Sequence, residues 1–270
     1  MFNSITNINE LDTAPNLFGA FPFTNLKTFV KIKIYQKGVQ NDRISSNSGG
    51  GHTLGSARAF TLAEVLVTLG IIGVVSAMTV PTLLQNHQRK VYVTQLHKVY
   101  NEFQQASLQY MTDRNALNLK EAGLTTNEDV NNWIKKYFKI VGECDTMDDC
   151  FAPSDEYKKL NGTIVDGYDR ANKSFVLASG ASVRPIINSD GERLLSIGVD
   201  INGQKGPNIQ GRDLFWIYLY NNGVVDDHGV SAPMTEEQRE KAYNRSCVSS
   251  GGGAGGCFGK ILNDNWEMTY

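Results

Sequence analysis

Five groupings in the 270-residue chain have residue types and spacings that could do chemistry. The first is a lone carboxylate. Residues 60–84 read FTLAEVLVTLGIIGVVSAMTVPTLL, with Glu64 as the only charge. A carboxylate in hydrocarbon costs about 2.5–3.5 kcal/mol, so Glu64 should have a partner. The second is the set of four cysteines, which fall in two close pairs, Cys144 with Cys150 and Cys247 with Cys257. Neither pair is a CxxC, and four histidines are few to complete a zinc site. Two local disulfides formed in an oxidising compartment are expected; four cysteines allow three connectivities, and unpaired thiols are the other reading.

The remaining three are weaker. Asp200, Asn202 and Gln204 occupy the first, third and fifth places of a calcium-loop pattern. Lys205 and Gly211 then fail at the sixth and twelfth places, where glycine and glutamate belong. Asp213 could close a looser oxygen cage, so calcium on Asp200, Asn202 and Asp213 stands beside the plainer reading of a structured turn. The run 249–260, SSGGGAGGCFGK, suggests a phosphate loop. However, Ala254 takes the first glycine position, Ile261 follows the lysine, and few residues remain for the helix that must come next. A loop closed by Cys247 and Cys257 suits it better. Asp226-Asp227-His228 has no nucleophile elbow or second histidine cluster with it, and reads as a polar surface turn.

These groups need elements to position them. With 41% hydrophobic and 20% charged residues, the chain can bury a core. Its net charge of −2, with scattered lysines, leaves no basic field for nucleic acid. As a helix, residues 60–84 would span about 37 Å, more than a hydrocarbon core of about 30 Å. They lack the polar face of a soluble helix and are read as membrane-embedded. A helical period continues through Val93, Leu96, Tyr100, Phe103, Ser107 and Tyr110, predicting one helix that runs to about Asp113. Thr126 with Asp129 marks the start of a second, burying Val130, Trp133, Ile134 and Phe138. From Ser174 the period shortens. SFVLA, ASVRPII, RLLSIGVDI and LFWIYLY predict about four antiparallel strands, with Asp190-Gly191 as the best hairpin turn. A short strand after Asn222-Gly223 and a small helix from Thr235 are also expected. Trp216, Tyr218 and Tyr220 give one strand an aromatic face, read as sheet packing or as a partner-binding surface.

The run Ala59-Phe60-Thr61-Leu62-Ala63-Glu64-Val65-Leu66 resembles the cleavage and assembly motif of type IV pilins and type II secretion pseudopilins. In that family a prepilin peptidase cuts before a residue that is usually phenylalanine and then methylates the new amine. Counting from Phe60, Glu64 is fifth and Pro81 twenty-second, the places where the family has glutamate and proline. The likeness covers roughly residues 58 to 112. Ala59 departs from the family's usual glycine; both are small, so cleavage is expected, at a slower rate. The leader is also longer than is usual.

The resemblance implies an α+β, pilin-like fold: a long N-terminal helix, membrane-spanning in its first half, packed on a C-terminal antiparallel sheet head. Residues 1–59 would be the leader, 60–84 the transmembrane half, 85–113 the amphipathic half, and 114–270 the head. It implies a structural filament subunit, not an enzyme, without a required cofactor. Its partners would be the prepilin peptidase, neighbouring subunits and an inner-membrane assembly platform. It would be a single-pass protein of the bacterial inner membrane, with its head outside the cytoplasm and a filament as its final location. The new amine of Phe60 is largely charged at neutral pH, and a neighbour's Glu64 can neutralise it. Gly70, Gly73, Ser76 and Ala77 offer small surfaces for helix contact, and Gly70 and Pro81 are points where the helix can kink. Two rival readings remain: an enzyme or ligand-binding domain on an uncleaved signal anchor, and a secreted protein cut after Ala77. Charge does not orient the span, since Arg43 and Arg58 precede it and Arg89, Lys90 and Lys98 follow it.

Overall fold

The computed structural model divides the chain into two units, residues 1–59 and Phe60–Tyr270. It describes residues 60–270 apart from 148, 166–172, 250–252 and 254. The leader assignment, with Ala59, lies outside the described residues.

One helix, α1, spans Leu62–Asp113. Thr61 caps it: extended backbone places the threonine hydroxyl to accept from the Glu64 amide, while the Glu64 side chain returns to the Thr61 amide. The helix is unbroken through Gly70 and Pro81, although proline removes one backbone donor. Its two halves differ. From Leu62 to Gln88 every residue is exposed, whereas Val93, Leu96, Val99, Phe103, Ala106, Ser107 and Tyr110 are buried at steps of mostly three and four. The predicted stripe is therefore present, with Val99 and Ala106 added and Tyr100 only partly covered.

Helix α2, Asn127–Tyr137, begins at the Thr126–Asp129 capping box and buries Val130, Trp133 and Ile134. Trp133 meets Phe103 and Phe138 with ring centroids 5.9 and 5.4 Å apart, and its indole N–H donates to the Ala106 carbonyl at 3.3 Å. A buried tryptophan supplies large apolar area only when that donor is satisfied, which α1 provides here.

Six strands follow in a simple antiparallel meander: β1 Ile140–Cys144, β2 Ser174–Leu177, β3 Ser182–Asp190, β4 Arg193–Asp200, β5 Leu214–Tyr220 and β6 Val225–Asp226. The four predicted strands are β2 to β5, and the short strand after Asn222-Gly223 is β6. β1 is an addition, carrying Gly142 and a register shift between Ile140 and Gly142. Between β3 and β4 a two-residue loop, Gly191-Glu192, joins the paired Asp190 and Arg193. Gly191 has φ +61° and lies against Val230, so a side chain there meets both backbone strain and a clash.

Strand β5 is buried along its whole length. Phe215, Ile217 and Leu219 join Val199, Ile197 and Leu195 of β4 in the core that α1 covers. Trp216, Tyr218 and Tyr220 point to the other face and pack with Met147, Phe151, Tyr157 and Ala232 in a second cluster. The aromatic face is thus sheet packing. Two short helices close the head, α3 at Glu236–Ala242 and α4 at Cys257–Asn263.

Candidate functional site

At the start of α1, Phe60 is 85% exposed. Oε2 of Glu64 accepts from the Thr61 amide and the Thr61 hydroxyl, both at 2.9 Å, while the Glu64 amide donates to the Thr61 hydroxyl at 3.2 Å. The partner sought for Glu64 thus exists in part within its own chain. These donors are neutral, so neither supplies a positive charge to pair with the carboxylate. Oε1 has no hydrogen-bond donor among the described residues and is left for a second partner, four residues from Phe60. Fourteen large apolar side chains from Phe60 to Leu84 are exposed, enough to make this half of α1 incompatible with water in isolation. One helix is thus long and apolar enough to span a membrane. A Cβ added at Gly70 or Gly73 would meet nothing within 4 Å, so both glycines are open to a neighbouring helix.

Both local disulfides are present, Cys144–Cys150 with Cα atoms 6.0 Å apart and Cys247–Cys257 with Cα atoms 5.0 Å apart. The first ties the end of β1 to the segment carrying Phe151. The second ties the turn after α3 to the first residue of α4.

Asp200, Asn202 and Asp213 do come together. Asp200 and Asp213 are fully buried. Oδ2 of Asp200 accepts from the Tyr157 hydroxyl at 2.6 Å and Oδ1 from the Asn202 amide at 3.2 Å. Asp213 accepts from the amides of Asn208 at 2.8 Å and Ile209 at 2.6 Å. Burial, with Asp213 nearby, pushes Asp200 up to about 8, and burial also raises Asp213. Side-chain oxygens of Asn202 and Asn208 are buried without a hydrogen-bond partner. Two carboxylates and two amide oxygens suit a hard cation in kind. Their present hydrogen bonds already hold the 200–213 loop shut. Among the described residues no three His, Cys, Asp or Glu side chains gather as a metal site.

Two readings of the head need correction. Asp226 and Asp227 are not on a surface turn; they are 1% and 0% exposed. Asp226 takes a two-pronged ion pair from Arg239, at 2.8 and 2.7 Å. Asp227 accepts from the amides of His228 (2.6 Å), Gly256 (2.7 Å) and Gly259. The second correction follows from the first. The loop is closed by Cys247 and Cys257 as expected, but a helix does begin within the run, at Cys257, and the Asp227 carboxylate caps its first turn. Gly256, at φ +81° and against the Ala242 carbonyl, makes that approach possible. His228 completes no catalytic set: its Nε2 accepts from Arg193 at 2.9 Å, and burial with the Arg193 charge pushes its pKa down. The identity of Asp226 and Asp227 as internal anchors has little local sequence signal, because the Arg239, Gly256 and Gly259 groups they hold lie 13 to 32 residues away.

No protein-family model, characterised protein or solved structure matches the chain.

Proposed function

We propose that this protein is a filament subunit of the pilin or pseudopilin kind, matured by cleavage before Phe60 and methylation of the new amine. The observation that carries the reading is the register of Phe60, Glu64 and Pro81 on a helix whose first half is fully exposed and apolar. Such a helix is stored in a membrane and then passed into a bundle of like helices, with Gly70 and Gly73 admitting close neighbours. Glu64, with Oε1 unengaged, receives the amine of an adjacent subunit. The two disulfides support a head outside the cytoplasm. Prepilin peptidase, neighbouring subunits and an inner-membrane assembly platform are the partners. No enzymatic activity and no cofactor form part of this reading; a calcium ion, if bound, would sit on Asp200, Asn202 and Asp213.

Intact mass after co-expression with a prepilin peptidase tests the proposal. The expected product begins at N-methylated Phe60, and Ala59→Gly is expected to speed its appearance. An unshifted precursor favours an uncleaved anchor, and a start at Met78 favours a signal peptide; either sinks the proposal.

A further inference from the structure

Below the head, the face of α1 formed by Asn86, Arg89, Lys90 and Thr94 turns toward the C-terminal residues Trp266, Glu267 and Met268, and the two enclose a cleft of about 560 Å³. Its depth is fixed by the helix. Arg89 and Lys90 lie five and six residues beyond Leu84, or about 7.5–9 Å along the axis. A bilayer of about 40–45 Å has a hydrocarbon core of about 30 Å, so each headgroup layer is about 5–7 Å deep. With Leu84 at the outer edge of the hydrocarbon core, the cleft therefore opens just outside the headgroup layer, where the long Arg89 and Lys90 side chains can reach back to the phosphates.

Its chemistry is cationic and incomplete. Arg89 makes no ion pair or hydrogen bond among the described residues, and its Nε is buried without a partner. Lys90 has no ion-pair partner among the described residues either. Glu267, exposed, is the one acid on the lining and forms no ion pair with them. Trp266 closes the opposite side, half-buried and stacked on His97 with ring centroids 4.0 Å apart. Arg89 and Lys90 both line the cleft, a guanidinium fork and an ammonium are groups that bind phosphodiesters, and tryptophan favours the membrane–water boundary. Positive charge is usually depleted outside the cytoplasm, so a pair of cations there calls for its own reason.

We propose that this cleft holds the phosphate of an anionic glycerophospholipid, seating the head on the outer leaflet before assembly. The inference rests on the membrane-spanning reading of residues 60–84. The lipid is shed when the subunit leaves the bilayer, which frees Arg89 and Lys90 for contacts in the filament.

The full chain, reconstituted in nanodiscs of phosphatidylcholine with about one third phosphatidylglycerol, is released and weighed by native mass spectrometry. Phosphatidylglycerol adducts are expected to exceed their share of the bilayer about tenfold. Arg89→Gln/Lys90→Gln should abolish that preference, with unchanged thermal unfolding. Lys120→Gln/Lys205→Gln removes equal charge elsewhere on the surface and should keep it. Adducts in proportion to the bilayer, or an unaffected Arg89/Lys90 variant, overturn the lipid site. Displacement of the lipid by millimolar glycerophosphate would show a site for free phosphate esters and also overturn it. If the chain never enters nanodiscs, the membrane reading falls with it, an outcome distinct from integration without lipid preference.

Discussion

At Glu64 one carboxylate has an observed job and a proposed one, which a single substitution can separate. Oε2 closes the capping box with Thr61, and the negative charge is what a neighbouring amine would meet. Glu64→Gln keeps an oxygen for the Thr61 amide, since glutamine also serves in capping boxes, and removes only the charge. The variant is expected to insert, to be cleaved before Phe60, and to yield far less sheared filament than wild type. Thr61→Ala is its complement, losing the cap at about 1 kcal/mol of local helix stability while keeping the charge. It should assemble nearly normally. Normal filament yield from fully cleaved Glu64→Gln would remove the charge from the mechanism. Asp200 is the other residue with a readable signature. Its folded-state carboxyl is raised to about 8 from an ordinary 3.8, so the native protein holds a proton that the unfolded chain has released. Stability from this group is therefore full below about pH 4 and falls as pH rises toward about 8. Melting temperature should decline across that window and flatten in Asp200→Asn, which still accepts from Tyr157. Calcium bound at these donors would supply the opposing charge, so the melting temperature at pH 8 would then rise with calcium and drop with chelator.

At the scale of elements, legibility follows locality. Helices α1, α2 and α3 each start at a threonine whose capping partner stands three residues on, and all three starts can be read from sequence. Strands β2 to β5 are long enough, and rich enough in branched and aromatic residues, to show as strands between turn signals. β1 does not, because five residues with a central glycine and alternating partial exposure look like a loop. Nor does α4. Its first turn is capped by Asp227, about 30 residues back, and nothing local announces it. Of the site residues, the four cysteines pair as their spacing suggests, whereas the roles given to Phe60 and Glu64 rest on the resemblance; the anchoring role of Asp226 and Asp227 depends on tertiary partners. Asp227→Ala would strip buried amides at Gly256 and Gly259 of their acceptor, at about 1–3 kcal/mol for each unsatisfied group. Urea denaturation is expected to show a loss of several kcal/mol, larger than that in Lys241→Ala on the exposed face of α3. A near-neutral Asp227→Ala would mean that α4 does not depend on that cap.

For the whole molecule, α1 belongs to two environments in turn. Every core residue it contributes lies at or beyond Val93, and the buried clusters of the head draw nothing from residues 60–92 except the partial cover of Tyr92. Deleting residues 1–85 therefore removes no buried side chain among the described residues, while it removes all fourteen exposed large apolar side chains between Phe60 and Leu84. Exposed apolar surface of that extent drives association or membrane partition, whereas a head with a continuous core folds on its own. A chain of residues 86–270 made in an oxidising compartment is expected to be soluble and monomeric without detergent, by light scattering. It should carry both disulfides and melt within a few degrees of the full chain in detergent. It should also fail to enter filaments, since it lacks Phe60, Glu64 and the helix surface around Gly70 and Gly73. Two results would break this division of labour: aggregation of the truncated head, or a large loss in its melting temperature. Either would mean that the apolar half of α1 completes the fold of its own subunit, and the exposed helix would then need an occupant from the same chain in place of a membrane or a neighbouring subunit.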